Sequence, residues 1–417
     1  MVLLHQILGR VFRKGTLMMI DPDGRVHAFG DGGDPTVKLH IHNRAFAWKM
    51  LRNPSLAIGE GFMDGDYTID DGDIYDFLDL AGLNMGWGDG DHWLMWLASA
   101  TRRVLRRIAQ HNPIGKAQQN VAHHYDLNGT LYDLFLDRDR QYSCAYFYSP
   151  EESIEQAQMQ KKRHIAAKLL LKPGQRVLDI GSGWGGLGLY LAGQERVDVT
   201  GVTLSAEQHK VSQQRAQDGG VAERVRFKLQ DYRLEHQTYD RIVSVGMFEH
   251  VGVGHYAEYF NKIAQLLNDD GVAMVRSIGR ADGPGATHPW IAKYIFPGGY
   301  SPALSEVVPF IEKVGLYITD IEVLRLHYAE TLRQWRRRFN ANRATIAKLY
   351  DERFCRMFEF YLAGSECAFR HSGHVIFQIQ MAKRQDAVPL TRDYITRYEE
   401  AHPIADMPGG PRDVRAG

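Results

Sequence analysis

The chain has 417 residues, more than one typical domain, so its length predicts two domains. Hydrophobic residues make up 44% and charged residues 24%, the composition of a globular protein with a large core. Lysine plus arginine and aspartate plus glutamate both number 50, so no global field attracts nucleic acid, and we expect no nucleic-acid partner. The three cysteines include no CxxC pair, which fits a reducing cytoplasm and predicts neither a disulfide framework nor a metal site.

A small α+β domain that associates with lipid is predicted over residues 1–115. Its first residues are apolar, without a basic segment or a cleavage signature, and predict an amphipathic helix rather than a signal peptide. Residues 16–42 alternate around an Asp-Pro-Asp-Gly turn, which is typical of a hairpin. Residues 91–110 carry two tryptophans and four arginines, and they predict either an ordinary surface helix or a helix lying on a membrane surface. Apolar runs are too short to span a membrane, so a lipid would be reached from the surface.

From about residue 150, β-like runs alternate with helical segments. The runs begin with RVLDIG (176–181) and end with HVIFQIQM (374–381), and they number seven. This alternation predicts a doubly wound, mostly parallel seven-stranded sheet with helices on both faces. We assign it to a second domain over residues 116–395, followed by a flexible, Pro/Gly-rich tail over 396–417.

The segment VLDIGSGWGG (177–186) combines an acidic residue with a glycine-rich turn. Asp179 lies two residues before Gly181, and Gly183 and Gly185 continue the turn. Glycines are needed where a backbone bends sharply between strand and helix and comes close to a ligand. The turn alone is compatible with a dinucleotide site.

Three details favour S-adenosylmethionine over a dinucleotide. The glycine spacing is GxGxGG and not GxGxxG. Thr203 and Ser205 stand where a dinucleotide site carries an acidic residue for the ribose. Asp231 follows the third strand, where a carboxylate suits an exocyclic amine. The pattern predicts the cofactor site of a class I methyltransferase.

Six motifs resemble the cyclopropane fatty acid synthase and mycolic acid cyclopropane synthase family, over residues 40–382. They are YDLNGTLYDLFLDRDRQYSCAYF (125–147), VLDIGSGWGG (177–186), GVTLSAEQ (201–208), GMFEHVG (246–252), KYIFPGG (293–299) and HYAETLRQW (327–335). The segment AIGEGFMDGDY (57–67) also resembles the N-terminal domain of the bacterial members that act on phospholipids.

The resemblance implies an activity and a location. It implies transfer of a methyl group from S-adenosylmethionine to the cis double bond of an unsaturated acyl chain in a membrane phospholipid. A cation would form, and bound bicarbonate would remove a proton so that a cyclopropane ring closes. The resemblance further implies a cytoplasmic enzyme, peripherally associated with the inner face of the cell membrane, and a homodimer. A small-molecule N- or O-methyltransferase and a non-enzymatic lipid-binding protein fit these motifs less well.

Site residues carry over by motif. Cofactor contacts are implied for Tyr125, Tyr142, Ser143, Asp179, Gly181, Gly183, Trp184, Gly185, Thr203, Leu204, Gln208, Asp231 and Tyr232. Bicarbonate contacts are implied for the backbones of Cys144 and Ile278 and the side chains of Glu249 and Tyr328. Cys144 has no adjacent base, so a backbone role is preferred to a nucleophilic thiol. Glu249 also has a structural alternative, as a helix-capping carboxylate.

Arg276 departs from the family, which usually has a bicarbonate-holding histidine at this position in an HTIG-like strand end that here reads RSIG (276–279). Arginine is always charged and grips a carboxylate-like anion with a planar fork, so it would clamp bicarbonate and preserve ring closure. Alternatively, it pairs with Glu249 and displaces the base, which would give a methyl-branched or methylene product. In a third arrangement it turns toward solvent or another acid.

Overall fold

The computed structural model describes residues 2–85 and 129–404. The predicted helix at 91–110, the domain boundary at 115, Tyr125 and most of the predicted tail lie outside these residues. The chain divides into two compact units, one with described residues 2–85, 286–297 and 332–374 and the other with 129–285, 298–331 and 375–404. Residues 286–297 and 332–374, which the sequence assigns to the second domain, therefore belong to the first unit.

Helices and strands follow in chain order. The helices are α1 Val2–Val11, α2 Ala45–Arg52, α3 Pro54–Asp64, α4 Ile74–Asn84, α5 Gly129–Phe135, α6 Ile154–Leu169, α7 Gly186–Glu195, α8 Ala206–Asp218, α9 Tyr256–Leu266, α10 Pro289–Tyr294, α11 Leu304–Lys313, α12 His327–Ala341, α13 Arg343–Leu349, α14 Glu352–His371 and α15 Asp393–Ala401. The strands are β1 Thr16–Ile20, β2 Val26–Gly30, β3 Thr36–Ile41, β4 Tyr67–Asp70, β5 Arg176–Ile180, β6 Asp198–Thr203, β7 Val225–Leu229, β8 Tyr239–Val245, β9 Leu267–Arg280, β10 Tyr317–Leu324 and β11 His374–Ala382.

The first unit contains a four-stranded sheet in the order β2-β1-β3-β4. The predicted hairpin is confirmed: β1 and β2 pair antiparallel around a turn that Asp21 holds. One Asp21 oxygen accepts hydrogen bonds from the backbone N–H groups of Asp23 and Arg25, both at 2.9 Å, as acidic side chains do in turns. The predicted N-terminal amphipathic helix is also confirmed, as α1.

A buried tryptophan organises the helices of the first unit. Trp290 is fully buried and its ring lies 4.6 Å from the ring of Phe360 in a T-shaped arrangement. Gly59 of α3 makes this packing possible, because a Cβ there would lie 2.4 Å from Trp290 Nε1. The glycine thus serves close helix packing and not a turn.

The second unit confirms the predicted fold class. Its seven strands run in the order β10-β11-β9-β8-β5-β6-β7. The pairs β5–β6, β6–β7, β5–β8 and β8–β9 are parallel, and β10–β11 is antiparallel. Apolar side chains fill both faces: Ala273 and Val275 of β9 join one core cluster, and Met274 joins the other. After β5 the chain forms β6 and β7 on one side of β5 and then returns to the other side of β5 as β8. This reversal of the strand order creates a topological switch point at the carboxyl ends of β5 and β8.

The described C-terminal residues correct one prediction. Residues 396–401, which the sequence places in a flexible tail, belong to α15. Burial explains this, because Ile395 is buried and Tyr398 packs against the apolar cluster that contains Met274. Among the helices of the described residues, none is long and apolar enough to cross a membrane.

Candidate active site

A cavity opens at the carboxyl ends of β5 and β8, the position expected for a ligand in a doubly wound sheet. Of the residues predicted to contact the cofactor, those lining it are Tyr142, Ser143, Asp179, Gly181, Gly183, Trp184, Thr203, Leu204, Gln208, Asp231 and Tyr232. Gly185 does not line it; a Cβ there would lie 2.8 Å from both Phe227 and Ser212, so this glycine serves packing. Tyr125 lies outside the described residues.

In the glycine turn after β5, the first residues are hydrogen-bonded to β6 and the middle of the turn is accessible from the cavity. The N–H groups of Gly181 and Ser182 both donate to the carbonyl of Val202 at 3.0 Å, which fixes the turn to β6. Gly181 has φ +84°, and a Cβ on it would lie 2.8 Å from Met247. Gly183 has φ +53°, yet a Cβ there would meet nothing within 4 Å, because it faces the open cavity. The backbone at Gly183 is therefore accessible to a ligand.

Asp179 brings a buried acid to the cavity. Its side chain is only slightly exposed, and Oδ2 has no hydrogen-bond partner among the described residues. Burial raises the pKa of Asp179 to about 7, against the smaller effect of the Lys161 charge. A buried carboxyl group with an oxygen that is not hydrogen-bonded favours the binding of a cationic ligand, which would interact with that oxygen.

Thr203 and Gln208 form a small polar cluster at the start of α8. Thr203 Oγ1 donates to Gln208 Oε1 at 3.0 Å, and the Ser205 hydroxyl caps α8 by accepting from the Gln208 N–H at 3.3 Å. Both side chains are buried, so their orientation is fixed before a ligand arrives.

The carboxylate of Asp231 already has a partner. It accepts from Arg233 through Nε at 2.9 Å and Nη2 at 2.8 Å, in a two-pronged ion pair. The sequence placed Asp231 against an amine of the cofactor and did not foresee this arginine. Tyr232 follows it, and its ring meets Tyr259 edge-on at 5.5 Å.

Lys161 lines the cavity and was not singled out from the sequence. Its ammonium group donates to Gln141 Oε1 at 2.6 Å and to Ser143 Oγ at 2.9 Å. Burial first, and then the charge of Arg276, lower the pKa of Lys161 to about 7. Among the described residues, no carboxylate oxygen lies within 4.0 Å of the Lys161 ammonium nitrogen. The only sequence signal was a lysine in α6, a helix without a clear apolar stripe.

His250 also lines the cavity. Burial lowers the pKa of His250 to about 4, so its imidazole is neutral near neutral pH. A neutral ring does not repel a cationic ligand.

Residues 142–147 form a strap beside the cavity that hydrogen bonds to α12 hold in place. The N–H of Ala145 donates to Thr331 Oγ1 at 2.9 Å, and the N–H of Phe147 donates to His327 Nδ1 at 3.0 Å. Tyr328, the neighbour of His327, is 8% exposed and therefore buried in the same region. Burial raises the pKa of the Cys144 thiol, which disfavours a thiolate nucleophile.

Glu249 and Ile278, two predicted bicarbonate contacts, are bonded to each other. The N–H of Ile278 donates to Glu249 Oε1 at 2.7 Å, whereas the buried Oε2 has no hydrogen-bond partner within residues 2–85 and 129–404. Burial raises the pKa of Glu249 to about 7, although the bond from Ile278 and the charge of Arg276 oppose it. This carboxyl group can hold or release a proton near neutral pH.

Arg276 is enclosed on β9 and has few partners. The residue is 2% exposed, Nη2 lies 3.5 Å from the carbonyl oxygen of Ala145, and Nη1 has no hydrogen-bond partner in the described part of the chain. No carboxylate oxygen of the described residues lies within 4.0 Å of its guanidinium group. The structure therefore contains neither the Glu249 ion pair nor the solvent-facing arrangement that the sequence left open.

Two family models match the chain. The model described as mycolic acid cyclopropane synthetase matches residues 114–379. A second model, described as a domain of unknown function (DUF7884), matches residues 3–85. The two matches follow one another along the chain.

Relatives match over most of their length. The cyclopropane-fatty-acyl-phospholipid synthase of Escherichia coli (strain K12) is 37% identical over 353 residues, which cover 84% of this chain and 89% of the relative. The tuberculostearic acid methyltransferase UfaA1 of Mycobacterium tuberculosis is 33% identical over 393 residues, which cover 89% of this chain and 88% of the relative.

Solved structures agree with the fold and the cofactor. Mycolic acid cyclopropane synthase CmaA1, in complex with SAH and CTAB, is 30% identical with a TM-score of 0.61, and the match covers 65% of this chain and 99% of that one. SAH is the demethylated form of S-adenosylmethionine, and the described cavity offers an unpaired acid and an open glycine turn to such a group. The chain thus belongs to the mycolic acid cyclopropane synthetase family and is an S-adenosylmethionine-dependent C-methyltransferase.

Proposed function

We propose that the protein methylates the cis double bond of unsaturated acyl chains in membrane phospholipids and closes a cyclopropane ring. A phospholipid substrate is favoured by the similarity to the E. coli phospholipid synthase, which extends over 84% of the chain. Within the described residues, the buried guanidinium group of Arg276 has one nitrogen without a hydrogen-bond partner and no carboxylate within 4.0 Å, and this observation carries the ring-closing part of the proposal.

The cofactor would be held between the glycine turn, Asp179 and the Thr203–Gln208 cluster. S-adenosylmethionine supplies an activated methyl group on a sulfonium. Asp179 would face its positive charge, and Gly183 would let the backbone approach closely. Lys161 fixes Ser143 and Gln141, which also line the cavity, so the methyl group and an alkene can be held in line.

Arg276, Glu249 and the strap would hold bicarbonate. An arginine buried without an anion is costly, and a planar anion would satisfy its free nitrogen. Glu249, with its pKa raised to about 7 by burial, can present a protonated oxygen to such an anion. Bicarbonate held there would supply a base for the proton that leaves on ring closure.

A second product follows from another observation. The N–H of Ile278, one predicted donor to bicarbonate, is already taken by Glu249 at 2.7 Å. If that bond persists during turnover, no base stands beside the new methyl group, and the proton leaves from a neighbouring carbon. The product would then keep one double bond, as a methyl-branched alkene or a methylene chain; the similar UfaA1 is a tuberculostearic acid methyltransferase.

The test is product analysis. The protein is incubated with methyl-labelled S-adenosylmethionine and detergent-dispersed cis-monounsaturated phospholipid, and the fatty acids are examined by mass spectrometry before and after hydrogenation. A product that resists hydrogenation is the expected ring. Label in an acyl product that takes up hydrogen favours the second product, and label outside the acyl chains contradicts the proposal.

Arg276 is tested in the same assay by Arg276→His and Arg276→Met. Histidine keeps a donor for the anion, so ring formation should persist in Arg276→His. Methionine keeps bulk without charge, so we expect ring formation to fall about a hundredfold, as when a positioned charged donor is removed. Added bicarbonate should stimulate the wild type but not Arg276→Met. Equal ring formation in all three proteins contradicts the clamp.

A further inference from the structure

The N-terminal unit exposes an aromatic residue that ordinary packing would hide. Trp48 of α2 is 75% exposed, although tryptophan is among the largest apolar side chains. The opposite side of α2 behaves normally, since Phe46 and Ala47 are buried. A tryptophan with an apolar body and a polar N–H is typical of the boundary between water and lipid.

Positive charge surrounds this tryptophan. Arg52 follows four residues later on the same helix face and is exposed. The neighbouring helix α1 exposes Ile7, at 40%, and Arg10, three residues apart. Arg10 and Arg52 have no ion-pair partner within the described part of the chain. We call Ile7, Arg10, Trp48 and Arg52 the docking face.

The charge along the N-terminal unit is segregated. Residues 1–52 contain eight lysines and arginines against four aspartates, a net charge of +4. Residues 53–85 contain eight acids and no lysine or arginine, but many of these acids are paired within the same unit. Such pairs are Lys49–Asp66, Arg353–Asp64, Arg336–Asp73 and Lys293–Glu60. The free positive charge therefore remains on the side of α1 and α2.

We infer that the docking face binds the surface of anionic phospholipid bilayers, with Trp48 at the interface and Arg10 and Arg52 on phosphate groups. A second copy of the chain fits this face less well, because a twofold contact would bring like charges together. The inference rests on the proposed function for its lipid substrate, and it gives a role to the segment matched by a domain of unknown function.

The test compares variants on vesicles of phosphatidylcholine with and without about one-third phosphatidylglycerol. We expect Arg52→Glu to weaken binding to the anionic vesicles about fivefold and Trp48→Ala to weaken it about tenfold. Matched controls in the other unit are Arg226→Glu and Tyr317→Ala, an exposed arginine and an aromatic residue that is 47% exposed. The controls should bind like the wild type.

Insertion is read separately by fluorescence. Bilayers with brominated acyl chains should quench the tryptophan fluorescence of the wild type more than that of Trp48→Phe, because Trp48 is the fluorescent residue that would enter the bilayer.

Methyl transfer to phospholipid in vesicles should fall in Trp48→Ala together with vesicle binding, whereas transfer to detergent-dispersed phospholipid should not fall. Wild-type protein inactive on dispersed phospholipid would contradict the proposed function and not the docking face. Unchanged vesicle binding in Trp48→Ala and Arg52→Glu overturns the inference. A homodimer that dissociates in Trp48→Ala while vesicle binding stays unchanged also overturns it, because the face would then bind a second copy of the chain.

Discussion

At the end of β5, Asp179 has a buried carboxyl group with a pKa raised to about 7 by burial and with one oxygen that no described residue hydrogen-bonds. A group with such a pKa is largely protonated at pH 6 and largely ionised at pH 8. The bound cofactor is cationic and favours the ionised form. Cofactor affinity should consequently depend on pH in the neutral range.

We expect the dissociation constant for S-adenosylmethionine to be about tenfold higher at pH 6 than at pH 8, since only the ionised fraction of Asp179 binds well. Asp179→Asn should bind more weakly and lose this pH dependence. Isothermal titration calorimetry at both pH values provides the measurement. Asp198→Asn, which changes an exposed acid on β6, serves as the control. A pH dependence of equal size in Asp179→Asn would show that another group titrates.

Sequence patterns predicted elements well wherever apolar burial dictates them. β5 and β9 are buried on both faces, and their continuous apolar runs therefore predicted the sheet. Helix α6 was harder, because it buries Lys161 and Lys168 among other polar groups, and polar residues in a helix normally indicate a solvated face. The first unit combines segments distant in sequence, and no local pattern reports such contacts.

Helix α3 offers a test of packing at the scale of one element. A Cβ at Gly59 would lie 2.4 Å from Trp290 Nε1 and 2.9 Å from Phe360 Cε1, so Gly59→Ala must displace a buried ring. We expect a loss of about 1–3 kcal/mol in the free energy of unfolding, measured by urea titration.

Gly9→Ala is the matched control in α1. Its nearest neighbour would be Phe29 at 3.8 Å, an ordinary contact, and its position is exposed. Alanine there should stabilise the protein by about 0.5–1 kcal/mol through helix propensity. Equal effects of the two substitutions would contradict the packing role of Gly59.

For the whole molecule, an ionic cluster within the second unit links stability to pH. Glu322 of β10 lies 2.7 Å from His164 Nε2 and also contacts Lys168 of α6, whose ammonium group lies 3.0 Å from Asp320. Burial acts to raise the pKa of Glu322, but the hydrogen bond from His164 and the charges of His164 and Lys168 outweigh it and hold that pKa well below its usual range. Asp139, between Lys162 and Arg215, has its pKa lowered to about 2 by those two partners despite burial.

A carboxyl group whose pKa is lower in the folded than in the unfolded state stabilises the fold at pH values above the unfolded-state pKa. This stabilisation is lost as the pH falls from the unfolded-state pKa towards the folded-state pKa. For Glu322 and Asp139 the loss should begin below about pH 4.5.

Two histidines add a loss of stability at higher pH. Burial lowers the pKa of His250 and of His327 to about 4, so the folded state disfavours their charged form. Their contribution to stability therefore declines as the pH falls below about 6.5. Asp179 and Glu249, whose pKa values are raised to about 7 by burial, act in the opposite direction between pH 7 and about 4.5, so the fall in urea midpoints should become steep only below about pH 4.5. Glu322→Gln should cost about 2 kcal/mol at pH 7, and its difference from the wild type should shrink as the pH approaches 3. Glu223→Gln, at an exposed acid without an ion pair to any described residue, should follow the wild type throughout. If the deficit of Glu322→Gln stayed constant down to pH 3, the lost stability would come from packing and not from the charge of Glu322.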